Sequence, residues 1–170
     1  MLNNEIGYIY FTGFTDKAAD DVRSAIMDLK SKGAQSLVLD LRGNGGGLLD
    51  QAVEIANFFL PKGSLVVSTK GKMKQWDKEY FTSKNPLLPD MKLAVLIDRT
   101  SASASEILSG SLQDYDRAVI LGSRTFGKGL VQTTRSLPYG ASLKITTAKY
   151  YTPSGRCVQA IDYTSHDEEG

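Results

Sequence analysis

Two short apolar runs, SLVLDL at 36–41 and LAVLID at 93–98, are each followed by a turn rich in glycine or serine and then by a helical pattern. That repeated order of strand, tight turn and helix constrains the fold more than any other feature of the chain. A strand this apolar is buried on both faces, which is the condition of a parallel sheet flanked by helices. It also places each turn at the carboxyl edge of the sheet, where the next helix offers unpaired N–H groups.

The flanking sequence extends the pattern. Residues 6–11 (IGYIYF) read as a strand. Thr15 is a suitable N-cap for a helix with apolar positions Ala18, Val22, Ile26 and Leu29 on one face and Gly33 as its stop. Residues 48–60 form a second helix closed by Pro61, 101–116 a third, and 65–70 and 118–123 further strands. Residues 71–92 are read as a hairpin plus loop carrying Trp76 and Tyr80. Two strands joined through PYG close the chain as a β-hairpin. The expectation is one α/β domain over residues 1–160, with a mainly parallel sheet, flanking helices and a C-terminal hairpin, followed by a polar tail at 161–170.

Scarcity narrows the chemistry. Cys157 is the single cysteine, so no intrachain disulfide forms, and His166 is the single histidine, set in the polar tail. A histidine-centred triad and a multi-cysteine zinc site are therefore not expected, and no metal or cofactor is called for. With 20 basic against 19 acidic residues and a net charge of +1, the chain shows no footprint for nucleic acid or an anionic membrane. No apolar run is long enough to cross a bilayer, and the first residues lack the order of a signal peptide.

Three segments remain as carriers of chemistry. In TSASASEILSG, Ser103 sits at the start of a helix, where free N–H groups are offered to a developing oxyanion. The same residues also form a capping box, Ser103-x-x-Glu106, with Ser101 as another competent N-cap, and capping serines outnumber nucleophiles. In RTFGKGLVQ, Lys128 lies between two glycines among Phe126, Leu130 and Val131; apolar surroundings would favour its neutral, basic form, although solvated lysines are commoner. With no usable histidine, serine activated by neutral lysine is the remaining nucleophile arrangement. In DLRGNGGGLLD, glycines before a helix suit an oxyanion or simply a flexible turn. The loop lacks the Lys-Ser/Thr of a Walker loop, and Leu48 stands where the dinucleotide fingerprint needs a glycine or alanine.

Together, DLRGNGGGLLDQAVEIA, DRTSASASEILSGSLQDYDRAVILGSRTFGKGLVQ and KITTAKYYTPSGR closely resemble the carboxyl-terminal processing, or tail-specific, serine proteases. The resemblance implies a ClpP/crotonase-like core and a Ser–Lys dyad. It assigns Ser103 as nucleophile, Lys128 as general base and Gln132 as the residue that positions the lysine. It assigns the oxyanion hole to the N–H groups of Ala104 and of a glycine in the NGGG loop, with Gly46 the first choice. Asp114 and Glu106 become supporting positions. Gly45 departs from the family's N-P-G-G by replacing proline, which loosens the turn.

The resemblance further implies protein or peptide substrates with exposed C-terminal tails, a bacterial periplasm or cell envelope, and a PDZ domain that this sequence does not contain. The chain is accordingly expected to be a catalytic core separated from its PDZ partner. Two other functions fit parts of the pattern: a crotonase-like acyl-thioester enzyme, which needs no Ser–Lys pair, and a catalytically silent core that binds peptides.

Overall fold

A computed structural model describes residues 1–2 and 5–160. Strands β1 (Ile6–Tyr10), β2 (Ser36–Asp40), β5 (Lys92–Ile97) and β6 (Val119–Gly122) form a parallel sheet in the order β1-β2-β5-β6. Helices α1 (Ala18–Ser31), α2 (Leu49–Ala56) and α3 (Ala104–Asp114) lie within the connections between these strands, as parallel neighbours require. Strands β3 (Leu65–Gly71), β4 (Lys78–Phe81), β7 (Leu130–Ser136) and β8 (Ser142–Tyr151) form a second sheet, antiparallel, in the order β4-β3-β8-β7.

Alternation along the parallel strands sorts their side chains. Ile9, Leu37, Leu39, Leu93 and Val95 are buried, and share one core with Val22, Ile26 and Leu29 of α1, Ala52 and Ile55 of α2, and Ile107, Leu108 and Leu112 of α3. Fully burying a side chain such as Ile26 or Ile55 contributes about 1.5–3 kcal/mol. Tyr8, Val38 and Ala94 occupy a cross-strand row that is only half buried.

The helix termini show where local sequence decides and where it does not. Gly33 ends α1 at φ 89°; its N–H donates to Lys30 O, and that of Ala34 to Leu29 O, a Schellman motif. At the other end Thr15 is not the cap. The helix begins at Ala18 after a turn closed by Ala18 N–H to Thr15 O at 3.2 Å, and the N–H of Ala19 finds Gln51 Oε1 of α2 at 3.0 Å. A tertiary acceptor has taken the place of a local one. Helix α2 stops at Ala56, short of Pro61, and the next residue, Asn57, turns its Oδ1 to the N–H groups of Ser83 and Lys84 at 2.7 and 3.1 Å. The strand expected at 65–70 forms as β3, one residue longer, but in the antiparallel sheet, paired with β8 and β4.

Candidate active site

The turn after β5 is organised by Asp98. Its carboxylate accepts the Thr100 hydroxyl at 2.6 Å and the N–H groups of Thr100, Ser101 and Gly43 at 2.9, 3.1 and 3.3 Å. These bonds, the Thr100 hydroxyl first, hold its pKa down at about 2. At the end of β2, buried Asp40 accepts the Arg42 guanidinium at 2.7 and 2.9 Å and the Tyr8 hydroxyl at 2.5 Å, so the arginine keeps its carboxyl below the usual range. Two neighbouring strand ends are thus fixed before the serine and glycine turns begin.

Accessibility separates the three serines of SASAS. Ser101 and Ser105 are fully buried, and their hydroxyls donate to Leu41 O at 2.8 Å and Asn44 O at 2.9 Å. Ser103 alone is partly exposed. Its backbone adopts φ 56°, ψ −116°, outside the regions a serine prefers, at a cost of roughly 1–3 kcal/mol. The sharp turn brings the residue to the surface at the N-terminus of α3, and the N–H of the following Ala104 has no acceptor among the described residues. Ser101, read as a possible N-cap, instead joins β2 to the turn.

The glycine loop meets this turn directly. Gly46 has φ 98°, and a Cβ there would lie 2.6 Å from Ala102 O, 2.8 Å from Ser103 Cβ and 3.0 Å from Ala104 N. Only glycine allows the two segments to approach so closely. Buried Asn44 holds them together: its Nδ2 donates to Phe11 O at 2.9 Å and its Oδ1 accepts the Gly46 N–H at 2.9 Å. Its carbonyl accepts Ala102 N–H at 3.0 Å as well as the Ser105 hydroxyl. The Gly46 N–H, first choice for the second oxyanion donor, is therefore engaged inside its own loop. The N–H groups of Gly45 and Gly47 have no acceptor among the described residues.

Glu106 links the Ser103 turn to the lysine loop. Its Oε2 accepts the N–H of Ser103 at 2.8 Å and that of Lys128 at 2.9 Å, while Oε1 accepts Gly127 N–H at 2.6 Å. Read in sequence as a supporting position and a helix cap, Glu106 also clamps a loop 22 residues downstream. Two hydrogen bonds to one oxygen put the Ser103 and Lys128 backbones side by side.

The Lys128 side chain is exposed, and the apolar enclosure suggested by its neighbours does not form: Phe126 is 64% exposed, and Leu130 and Val131 belong to β7. Gln132 is also exposed, on β7. Since Lys128 precedes that strand, a strand-like alternation does not run unbroken from one to the other. Asp114, at the end of α3, forms an ion pair with Arg156 and accepts Ser154 N–H at 2.9 Å, anchoring the segment after β8. Burial pushes its pKa up, but hydrogen bonds from Thr152, Ser154 and Arg156 outweigh burial and leave it lowered. His166 lies outside the described residues.

The sequence reading missed Asn44, although a polar residue inside a glycine turn that leads to a helix was a visible signal. The bonds of Asn44 to Phe11, Ala102 and Ser105, like the reach of Glu106, come from segments about 20–60 residues away.

The site thus combines a serine at a strained strand–helix turn, free N–H groups around it and a lysine tied to it through one carboxylate. The profile of Peptidase family S41 matches residues 5–167. The chain belongs to that family. Among S41-type relatives, a "Carboxy-terminal-processing protease" of Bartonella bacilliformis is 48% identical over 168 residues, covering 96% of this chain and 38% of its own length. A "Probable CtpA-like serine protease" of Staphylococcus epidermidis is 42% identical over 157 residues, covering 90% of this chain and 31% of that protein. The solved structure of a photosystem II D1 C-terminal processing protease superposes with a TM-score of 0.82 at 36% identity, covering 91% of this chain and 39% of that one. This S41 chain thus spans about a third of the length of the relatives it matches, and its two-sheet α/β architecture matches that of the solved processing protease.

Proposed function

We propose that this chain is the catalytic core of a serine endopeptidase that cleaves proteins near accessible C-terminal tails. The observation that carries the reading is the shared oxygen of Glu106, which holds the backbones of Ser103 and Lys128 together. In the first step the neutral amine of Lys128 takes the Ser103 Oγ proton as Oγ attacks the peptide carbonyl carbon. The oxyanion rests on Ala104 N–H and an N–H of the Gly45–Gly46–Gly47 turn. Collapse breaks the C–N bond, and the lysine ammonium returns its proton to the leaving amine. Water then attacks the acyl ester while Lys128 accepts its proton; Ser103 Oγ leaves and is reprotonated from the lysine, releasing the carboxylate.

Gln132 orients the lysine amine, and a bound substrate supplies the desolvation that Lys128 lacks when exposed. The core is of the ClpP/crotonase-like type, with β7 and β8 as its C-terminal hairpin. The complete protein carries a PDZ domain that presents substrate tails, and it works in a bacterial periplasm or cell envelope.

The test is acylation of the intact protein by a fluorophosphonate, followed by cleavage of an unstructured peptide with an apolar C-terminus. Ser103→Ala abolishes both, and Lys128→Ala slows both by at least a hundredfold. Labelling of the Ser103→Ala variant at the original rate would exclude this reading. A crotonase-like acyl-thioester enzyme would share the paired N–H groups but has no use for a strained, exposed serine.

A further inference from the structure

Lys128 stands between Gly127 and Gly129, and the structure gives both glycines one reason. The segment after β8 lies directly against them. A Cβ on Gly127, at φ 86°, would fall 2.2 Å from Ala160 Cβ, and one on Gly129 would fall 2.2 Å from Gln159 N. The contact is hydrogen-bonded as well as close. Gln159 Oε1 accepts the Gly129 N–H at 2.8 Å, and Ala160 N–H donates to Gly127 O at 3.1 Å.

The segment is anchored at its other end. Asp114 and Gln113 hold Arg156, Thr152 N–H donates to Arg156 O at 2.9 Å, and Val158 N–H donates to Tyr150 O at 3.0 Å. The consecutive N–H groups of Gly127, Lys128 and Gly129 are thus all engaged, two by Glu106 on the α3 side and one by Gln159 on the other.

We infer that Gln159 is a positioning residue for the general base, its side-chain oxygen holding the Gly129 peptide so that Lys128 keeps its place opposite Ser103. The inference rests on the Ser103–Lys128 reading above. Its physical basis is the freedom of the two glycines. A lysine with glycine on both sides has little local restraint on its backbone, so its position depends on the groups that hold those peptides. Gln159 also acts at a point where β7 has not yet begun, so no ladder hydrogen bond holds that N–H. Displacing a catalytic group by about 1 Å lowers rates by up to a hundredfold.

The experiment compares Gln159→Leu, which keeps size but removes the acceptor, with Gln159→Glu, which keeps an acceptor oxygen. Both are made in the intact protein with Lys128→Ala as reference. Fluorophosphonate acylation is followed across pH, and amide hydrogen exchange across residues 126–130. The expected result is a roughly ten- to hundredfold slower acylation for Gln159→Leu with unchanged peptide KM, an altered pH profile and faster exchange at Gly129. Gln159→Glu is expected to restore most of the rate and the protection.

Wild-type acylation and exchange in Gln159→Leu would overturn the inference, as would equal losses in the Leu and Glu variants. If Lys128→Ala is acylated at the wild-type rate, the general-base reading fails and the inference fails with it. If that variant is slow while Gln159→Leu is not, only the inference fails.

Discussion

Ser103 and Lys128, 25 positions apart, donate their backbone N–H groups to the same oxygen, Oε2 of Glu106, at 2.8 and 2.9 Å. The two backbones therefore share one positional reference, supplied by a buried carboxylate on the first turn of α3. With Gly127 N–H on its other oxygen, Glu106 meets three donors, and bonds to a charged group contribute more than bonds to a neutral one.

Replacing Glu106 tests that arrangement. Glu106→Ala leaves three N–H groups without their acceptor and is expected to cost about 3 kcal/mol or more of stability. Glu106→Gln retains one carbonyl oxygen but turns an NH2 toward the remaining donors. It is expected to fold with a lowered Tm and to acylate at least a hundredfold more slowly. Thermal unfolding and fluorophosphonate labelling of the same preparations separate the two effects. A Gln variant with unimpaired labelling would mean that Ser103 and Lys128 are held by other contacts.

Gly46→Ala is expected to be worse than its one added methyl suggests. The Cβ would press on Ala102 O and Ser103 Cβ, and φ 98° is itself strained for alanine. Relieving the clash moves the nucleophile turn, so acylation should fall by more than a hundredfold together with a stability loss of about 1–3 kcal/mol. Unchanged acylation would show that the glycine loop yields without moving Ser103.

Asn44 joins the end of β1, the glycine loop and the start of α3. Asn44→Ala strands Phe11 O and the Gly46 N–H, for an expected loss of about 2–3 kcal/mol. Asn44→Asp keeps the acceptor for Gly46 but loses the donor to Phe11 O, so it should unfold early while retaining more of its acylation rate per folded molecule than Asn44→Ala does. Denaturant unfolding with parallel labelling reads both quantities.

Asp98 carries an acid-dependent share of stability. Its pKa lies at about 2 in the folded chain against an ordinary value of 3.8, so the folded state favours the ionised form. That contribution is fully present above the unfolded value and is lost as pH falls through the folded one, between about 4 and 2. Asp98→Asn is expected to be less stable near neutral pH and to lose less on acidification across that window. Midpoints of urea unfolding measured on both sides of the window check the sign; equal acid sensitivity in the two proteins would assign the loss to other carboxylates.

What the sequence alone determined about this protein is local or nearly so. The α1 face of Val22, Ile26 and Leu29, its Gly33 stop, the apolar strands β2 and β5, the capping pair Ser103–Glu106 and the glycines around Lys128 all follow from spacing within about one element, where geometry is set by backbone sterics and periodicity. The resemblance of the motifs then led to the family.

Only the tertiary structure decided that β3 pairs with β8 and β4, that Gln51 takes the place of a local cap on α1, and that Ser101 and Ser105 are buried while Ser103 is not. It also decided that Glu106 reaches Lys128, and that the lysine side chain stands in solvent rather than under apolar cover. Each of these depends on which distant segment supplies a hydrogen-bond partner or covers a surface, and a residue's own neighbours in sequence carry no record of that.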